Sequence, residues 1–127
     1  MTTILRRMVF LLVLCAPLSA CGPGSDDTLR SFYQDMAEGH TAAAVQRFSP
    51  DLHKQFGEEA LQAAVEHWTR DIKAHGGLAD VALHGGVVTY NELALYDVTL
   101  TYADGSSKSL QTSLVHVDGD WYINAAL

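Results

Sequence analysis

The stretch Glu58–Gly77, EEALQAAVEHWTRDIKAHGG, decides how the rest of the chain is read. Leu61, Ala64, Val65, Trp68 and Ile72 recur at three- and four-residue steps, which lays them along one face of a helix. Glu58 and Glu59 stand at the start and Lys73 near the end, the order that the helix dipole favours. Gly76-Gly77 then stop the pattern, so the spacing predicts a helix over Glu58–Ala74. A helix that is apolar on one stripe needs a second surface to bury it.

The following residues supply that surface. After Gly77 the hydrophobic period changes to two. Glu92–Tyr102, ELALYDVTLTY, puts Ala94, Tyr96, Val98, Leu100 and Tyr102 on one face of a strand. Asp104-Gly105 signals a turn, Ser107–Val117 a further strand, and Asp118-Gly119 a turn into Trp121–Leu127. Upstream, Val87–Asn91 reads as a strand, and Ala79–Leu83 as one more before a break at Gly85-Gly86. Strands joined by such tight turns form an antiparallel meander.

The residues before Glu58 also read as helical. Leu29, Phe32, Tyr33 and Met36 share one helix face, with Asp26 and Asp27 before it and Gly39 after it. A short helix is expected over about Thr41–Phe48. Ser49 is placed to cap a further turn with Pro50 in its first position, lined by Leu52 and Phe56 and ended by Gly57. The expected fold class is therefore α+β, with N-terminal helices packed on an antiparallel sheet.

Residues 1–20 have another character. Arg6 and Arg7 precede the apolar run Met8–Ala16, and small residues follow, which is the layout of a secretory signal peptide. The run is too short for a membrane span, which needs roughly 20 apolar residues, and Pro17 interrupts it. Of the two cysteines, Cys15 lies in this run, so removal of the peptide leaves Cys21 with no partner for an internal disulfide. Leu18-Ser19-Ala20-Cys21 resembles the bacterial lipobox, in which a Cys preceded by Leu, a small residue and Ala receives a diacylglycerol. Ordinary cleavage after Gly22, with Ala20 upstream, is the alternative. The resemblance implies lipidation at Cys21, anchorage in the cell envelope facing the periplasm and, from Gly22 where Asp would hold the protein back, the outer membrane. Gly22–Asp27 would then form a tether of six residues, at most about 20 Å long. The expected organisation is a signal peptide over 1–20, the lipidated Cys and tether over 21–27, and one domain over 28–127.

The order of one helix, short helices, a long helix and an antiparallel sheet resembles the cystatin-like, or nuclear-transport-factor-2-like, superfamily. "FYQDM", "GHTAAAVQRFSPDL", "VTLTYADGSSKS" and "DGDWYI" are together similar to a family of uncharacterised bacterial lipoproteins. The chain departs from that pattern at Tyr122, where a basic residue is usual. The resemblance implies a cone-shaped domain with a curved sheet and a pocket between sheet and helix. The superfamily holds enzymes, ligand binders and interaction modules, so it leaves the function open.

Charge and motifs exclude several classes. Loss of residues 1–20 leaves six basic against fifteen acidic side chains. A chain this acidic lacks the electrostatic footprint for nucleic acid. The six histidines include no pair at the four-residue spacing that places two metal ligands on one helix face, and no metal site is expected. His40 and His84 adjoin glycines, His67 falls off the helix stripe, and His75 suits a helix C-terminus. No phosphate-binding glycine loop is present, and no cofactor is expected. His116 shares strand parity with Leu110, Thr112 and Leu114, so it is expected toward the covered face. Asp97 has the opposite parity to Tyr96 and Val98 and is expected in solvent, which leaves an isomerase-like pocket without its carboxylate base.

The candidate pocket-lining residues are Trp68, Tyr96, Tyr102, His116 and Trp121; no catalytic residue is assigned. The leading expectation is a lipid-anchored, non-enzymatic binding or interaction module, taking a small apolar ligand or a protein partner with a basic surface. The alternative is an immunity or inhibitor lipoprotein against a secreted, envelope-targeting toxin. A second alternative is a small isomerase or hydrolase working in the cone pocket.

Overall fold

The computed structural model describes residues 24–89 and 92–126. The signal segment and Cys21 lie outside the described residues. Four helices, α1 (Ser25–Ala37), α2 (Thr41–Gln46), α3 (Pro50–Phe56) and α4 (Glu58–Ala74), precede four strands, β1 (Leu78–Val88), β2 (Leu93–Tyr102), β3 (Ser107–Val117) and β4 (Asp120–Ala126). The strands form one antiparallel sheet in the order β1-β2-β3-β4. The helices pack against it, and the chain is α+β as the sequence predicts.

The core lies where the two periodicities meet. Leu29, Phe32, Tyr33 and Met36 of α1 are buried, as are Leu61, Val65 and Ile72 of α4. The sheet contributes Ala94, Tyr96, Val98, Leu100 and Tyr102 from β2, then Leu110, Thr112, Leu114 and Ile123. Each fully buried aliphatic side chain contributes about 1.5–3 kcal/mol. A fully buried polar pair also crosses the layers. The Tyr33 hydroxyl meets Thr112 Oγ1 at 3.0 Å, with both side chains almost inaccessible to solvent. Burial pushes the Tyr33 pKa up to about 12, although the Thr112 contact works the other way. Thr69, one turn beyond Val65 on the buried face of α4, is accommodated there because its hydroxyl donates to the Met36 and Val65 carbonyls.

Several local expectations change. The first helix starts at Ser25 and takes in three residues that the sequence assigned to the tether. Asp26 and Asp27 occupy its first turn, where the dipole favours them. Helix α2 ends at Gln46, and Phe48 instead makes a parallel bridge to Ile123. Around that bridge Ser49 N–H donates to the Ile123 carbonyl (2.8 Å), and Ile123 N–H to the Arg47 carbonyl (2.7 Å). These bonds cover the β4 edge, which would otherwise be open to pairing with another chain.

The two upstream strands are one. β1 runs through Gly85-Gly86 and keeps its pairing with β2 by a register shift between Gly85 and Val87. Both glycines have positive φ, 102° and 86°. A Cβ on Gly85 would lie 2.9 Å from the Leu95 carbonyl oxygen, and one on Gly86 would strike the Tyr96 ring. The glycines therefore bend a continuous strand where the sequence reading ended one. At the other hairpin, Asp118 (φ 49°) and Gly119 (φ 89°) supply the two left-handed residues of a tight turn.

The Tyr33–Thr112 pair makes a testable contribution. Tyr33→Phe alone leaves a buried hydroxyl unpaired and should cost about 1–3 kcal/mol. Tyr33→Phe with Thr112→Val removes both groups and should recover most of that loss. Urea unfolding of the two single variants and the double variant measures the cycle; strictly additive losses would show that the pair does not couple the layers.

Candidate functional site

The site is a surface cavity of about 470 Å³, open to solvent along Gln55, Phe56, Ala60 and Ala64, between α4, the α3 segment and the end of β4. It forms because the stripe of α4 is uneven. Leu61 and Val65 fill the core, but Ala60 and Ala64 put only methyl groups where α3 crosses, and Trp68 stands half-buried at the side. Phe32 and Met36 reach it from α1, and Leu52 and Phe56 from α3. Phe48 reaches it from the segment bridged to β4, and its ring packs edge-on against Phe32 at 5.2 Å. Phe56 is 55% exposed, an unusual position for an aromatic ring beside an apolar cavity.

Two polar side chains, Gln55 and Asn124, complete the lining. Among the described residues, the lining has no Asp, Glu, Lys, Arg, His, Ser, Thr or Cys. Asn124 owes its position to an irregularity in the sheet. Leu114 pairs with Ile123 and Ser113 with Ala125, so Asn124 is an extra residue on β4. Strict alternation would set it on the face opposite to Ile123, and the bulge re-aims it. Ser49 then holds it. This buried hydroxyl accepts from Leu52 N–H (3.2 Å), capping α3, and donates to Asn124 Oδ1 (3.1 Å).

Of the residues that the sequence proposes for the pocket, Trp68 is in this lining, whereas Tyr96, Tyr102, His116 and Trp121 are not. Their strand parity fixes the face they share but not their position along it. Tyr96 packs over the Gly86 bend, and its hydroxyl meets Ser25 Oγ at 2.7 Å. It also borders a smaller, more polar depression of about 390 Å³ with Asp97 and Gln111. Tyr102 sits at the far end of the sheet, with its ring against His75 at 4.7 Å. Its buried hydroxyl has no hydrogen bond among the described residues, and burial together with the Asp71 carboxylate raises its pKa. His116 and Trp121 stack at 4.7 Å beyond the covered part of the sheet. Asp97 is exposed and accepts from Gln111 Nε2 at 3.2 Å.

The sequence reading did place Leu52 and Phe56 on one turn but not in the pocket. Asn124 carried no signal, because a bulge is a property of register and not of one strand's residues. Among the described residues, no three His, Cys, Asp or Glu side chains are grouped to hold a metal, and no helix is long and apolar enough to cross a membrane.

No family model matches the sequence, and no curated protein matches it. A solved structure does resemble the fold. A Campylobacter jejuni protein named as a candidate NTF2-like transpeptidase superposes with a TM-score of 0.66 at 18% sequence identity, covering 79% of this chain and 96% of that one. At this identity the likeness is one of fold: helices on an antiparallel sheet in the NTF2-like cone arrangement.

The His116 pair gives the site's surroundings a measurable pH response. His116 Nδ1 lies 2.9 Å from Glu92 Oε1, and this hydrogen bond raises the His116 pKa above its ordinary value near 6.5. The folded value exceeds the unfolded one. The pair's stabilisation is therefore complete below pH 6.5 and fades as pH rises through the raised folded value. NMR titration should show His116 titrating above that reference, and Glu92→Gln should bring it back down. An unchanged midpoint in Glu92→Gln would remove Glu92 as the cause.

Proposed function

We propose that the protein is a lipid-anchored lipoprotein of the bacterial cell envelope whose domain binds an apolar ligand and performs no chemistry on it. The apolar cavity carries this reading. Its volume of about 470 Å³ falls in the range of small-molecule sites. Its walls are aromatic and aliphatic with two neutral amides, a lining suited to a hydrophobic body with one polar end. General acid–base or nucleophilic catalysis needs a titratable or nucleophilic group in reach, and the lining has none. The neighbour's transpeptidase description is therefore not carried over to this chain.

The lipobox-like Leu18-Ser19-Ala20-Cys21 supports the anchor. With α1 beginning at Ser25, only Gly22, Pro23 and Gly24 separate Cys21 from the helix. Three residues span at most about 10 Å. A diacylated Cys21 would keep the cavity beside the membrane, where apolar ligands are concentrated, and two acyl chains hold stably where one does not.

Two measurements test this reading. Cells fed radiolabelled glycerol or palmitate should label the protein, and Cys21→Ser should abolish the label and release the protein from membranes. A label retained by the variant would sink the anchor. Separately, Ala64→Trp should fill the cavity and weaken binding of an uncharged fluorescent apolar probe by about tenfold or more, near 1.4 kcal/mol, with little change in Tm. Binding unaffected by the filled cavity would place the ligand elsewhere.

A further inference from the structure

We infer that the cavity selects a ligand bearing an ester or amide carbonyl at the head of its apolar chain, and that Asn124 is the residue that reads it. The inference rests on the binding function proposed above and specifies the ligand's chemistry. Asn124 is one residue too many for the ladder between β3 and β4, and the bulge turns it toward the cavity. Its orientation about the last side-chain bond is fixed as well. Ser49 Oγ accepts the Leu52 N–H of the helix cap, which leaves its single proton to donate. That proton goes to Asn124 Oδ1, so the amide oxygen is used and the amide nitrogen points away from Ser49. Among the described residues, Asn124 Nδ2 makes no hydrogen bond.

The cavity thus offers the N–H donors of a held amide in a wall whose one other polar side chain among the described residues is the exposed Gln55. A donor in such a place discriminates sharply, because a ligand without an acceptor leaves it dry and unpaired. The acceptor should be neutral, since the lining has no cationic side chain to neutralise a carboxylate or phosphate. Alcohols, ethers and ketones also carry neutral acceptors, but the one that commonly heads an acyl chain is the carbonyl of an ester or amide. The aromatic and aliphatic walls take the chain, and Asn124 Nδ2 donates to the carbonyl oxygen.

The test uses the full-length chain with Cys21→Ser, purified without detergent, and two probes of equal chain length, methyl decanoate and dodecane. Competition against an uncharged fluorescent apolar probe should show the ester binding about tenfold tighter than the alkane, the value of one net hydrogen bond. Asn124→Asp keeps the acceptor that Ser49 needs and removes the amide donors, so at neutral pH it should erase the preference for the ester over the alkane. The unsubstituted side chain gives an independent readout if that variant does not fold. The Asn124 side-chain amide resonances should move on addition of methyl decanoate and stay in place with dodecane. Equal binding of the two probes, or amide resonances indifferent to the ester, overturns the role of Asn124 and leaves the apolar cavity standing. Failure of both probes to bind the folded protein overturns the cavity's binding function as well.

Discussion

The exchange of backbone hydrogen bonds between Arg47–Ser49 and Ile123 is the contact on which the site depends. It joins the short helices to the outer strand over a stretch of only three residues. Phe48 is thereby pressed inward against Phe32, while Arg47 turns to Asp35 of α1 with Nε–Oδ2 at 2.8 Å. Ser49 is left with its backbone bonded to the strand and its side chain bonded to both α3 and Asn124. One segment therefore closes a sheet edge, starts a helix and sets an amide in the cavity wall. The free energy of each bond is modest, about 0.5–1.5 kcal/mol net, but leaving these groups unpaired beside the core would cost more.

The cavity is the counterpart of the well-filled core that backs it. There Leu29, Tyr33 and Ile72 meet Leu100, Val98 and Leu114 with almost no exposure. Protein interiors are close-packed, and space of this size persists only where neighbouring backbones cannot approach. The short α3, capped by Ser49 and ended by Gly57 with φ 85°, holds its own side chains at a distance from α4. Ala60 and Ala64 do not reach across the gap. Trp68 is kept from collapsing inward on its outer side, where Lys108 Nζ lies 4.9 Å from the ring centroid.

Much of the fold was legible because the informative segments are long. The stripe of α4 and the alternation of β2 run for 17 and 10 residues, long enough for their periods to be unambiguous. Tight turns at Asp104-Gly105 and Asp118-Gly119 then forced the meander. Gly85-Gly86 misled the reading because two glycines mark a strand's end and a strand's bend equally well. The cavity was less legible. Alternation assigns a residue to a face of a sheet but does not say how far along the strand the helices extend, so Tyr102 and His116 share one face and both miss the cavity, His116 by lying beyond the helices' cover. Phe48 and Asn124 enter it through a bridge and a bulge, which arise only once two distant segments are paired.

The bulge at Asn124 makes chain length itself a carrier of information. In a regular strand, what a residue faces depends on its identity at a fixed position, and substitution is the way to change it. Here the side on which the residues of β4 beyond Ile123 fall depends on the one residue, Asn124, inserted between Ile123 and Ala125. Deleting one residue there restores plain alternation and turns the cavity wall inside out without altering a single neighbouring side chain. Among relatives of this fold, a difference of one residue in the last hairpin would mark a change of ligand more reliably than any difference in composition.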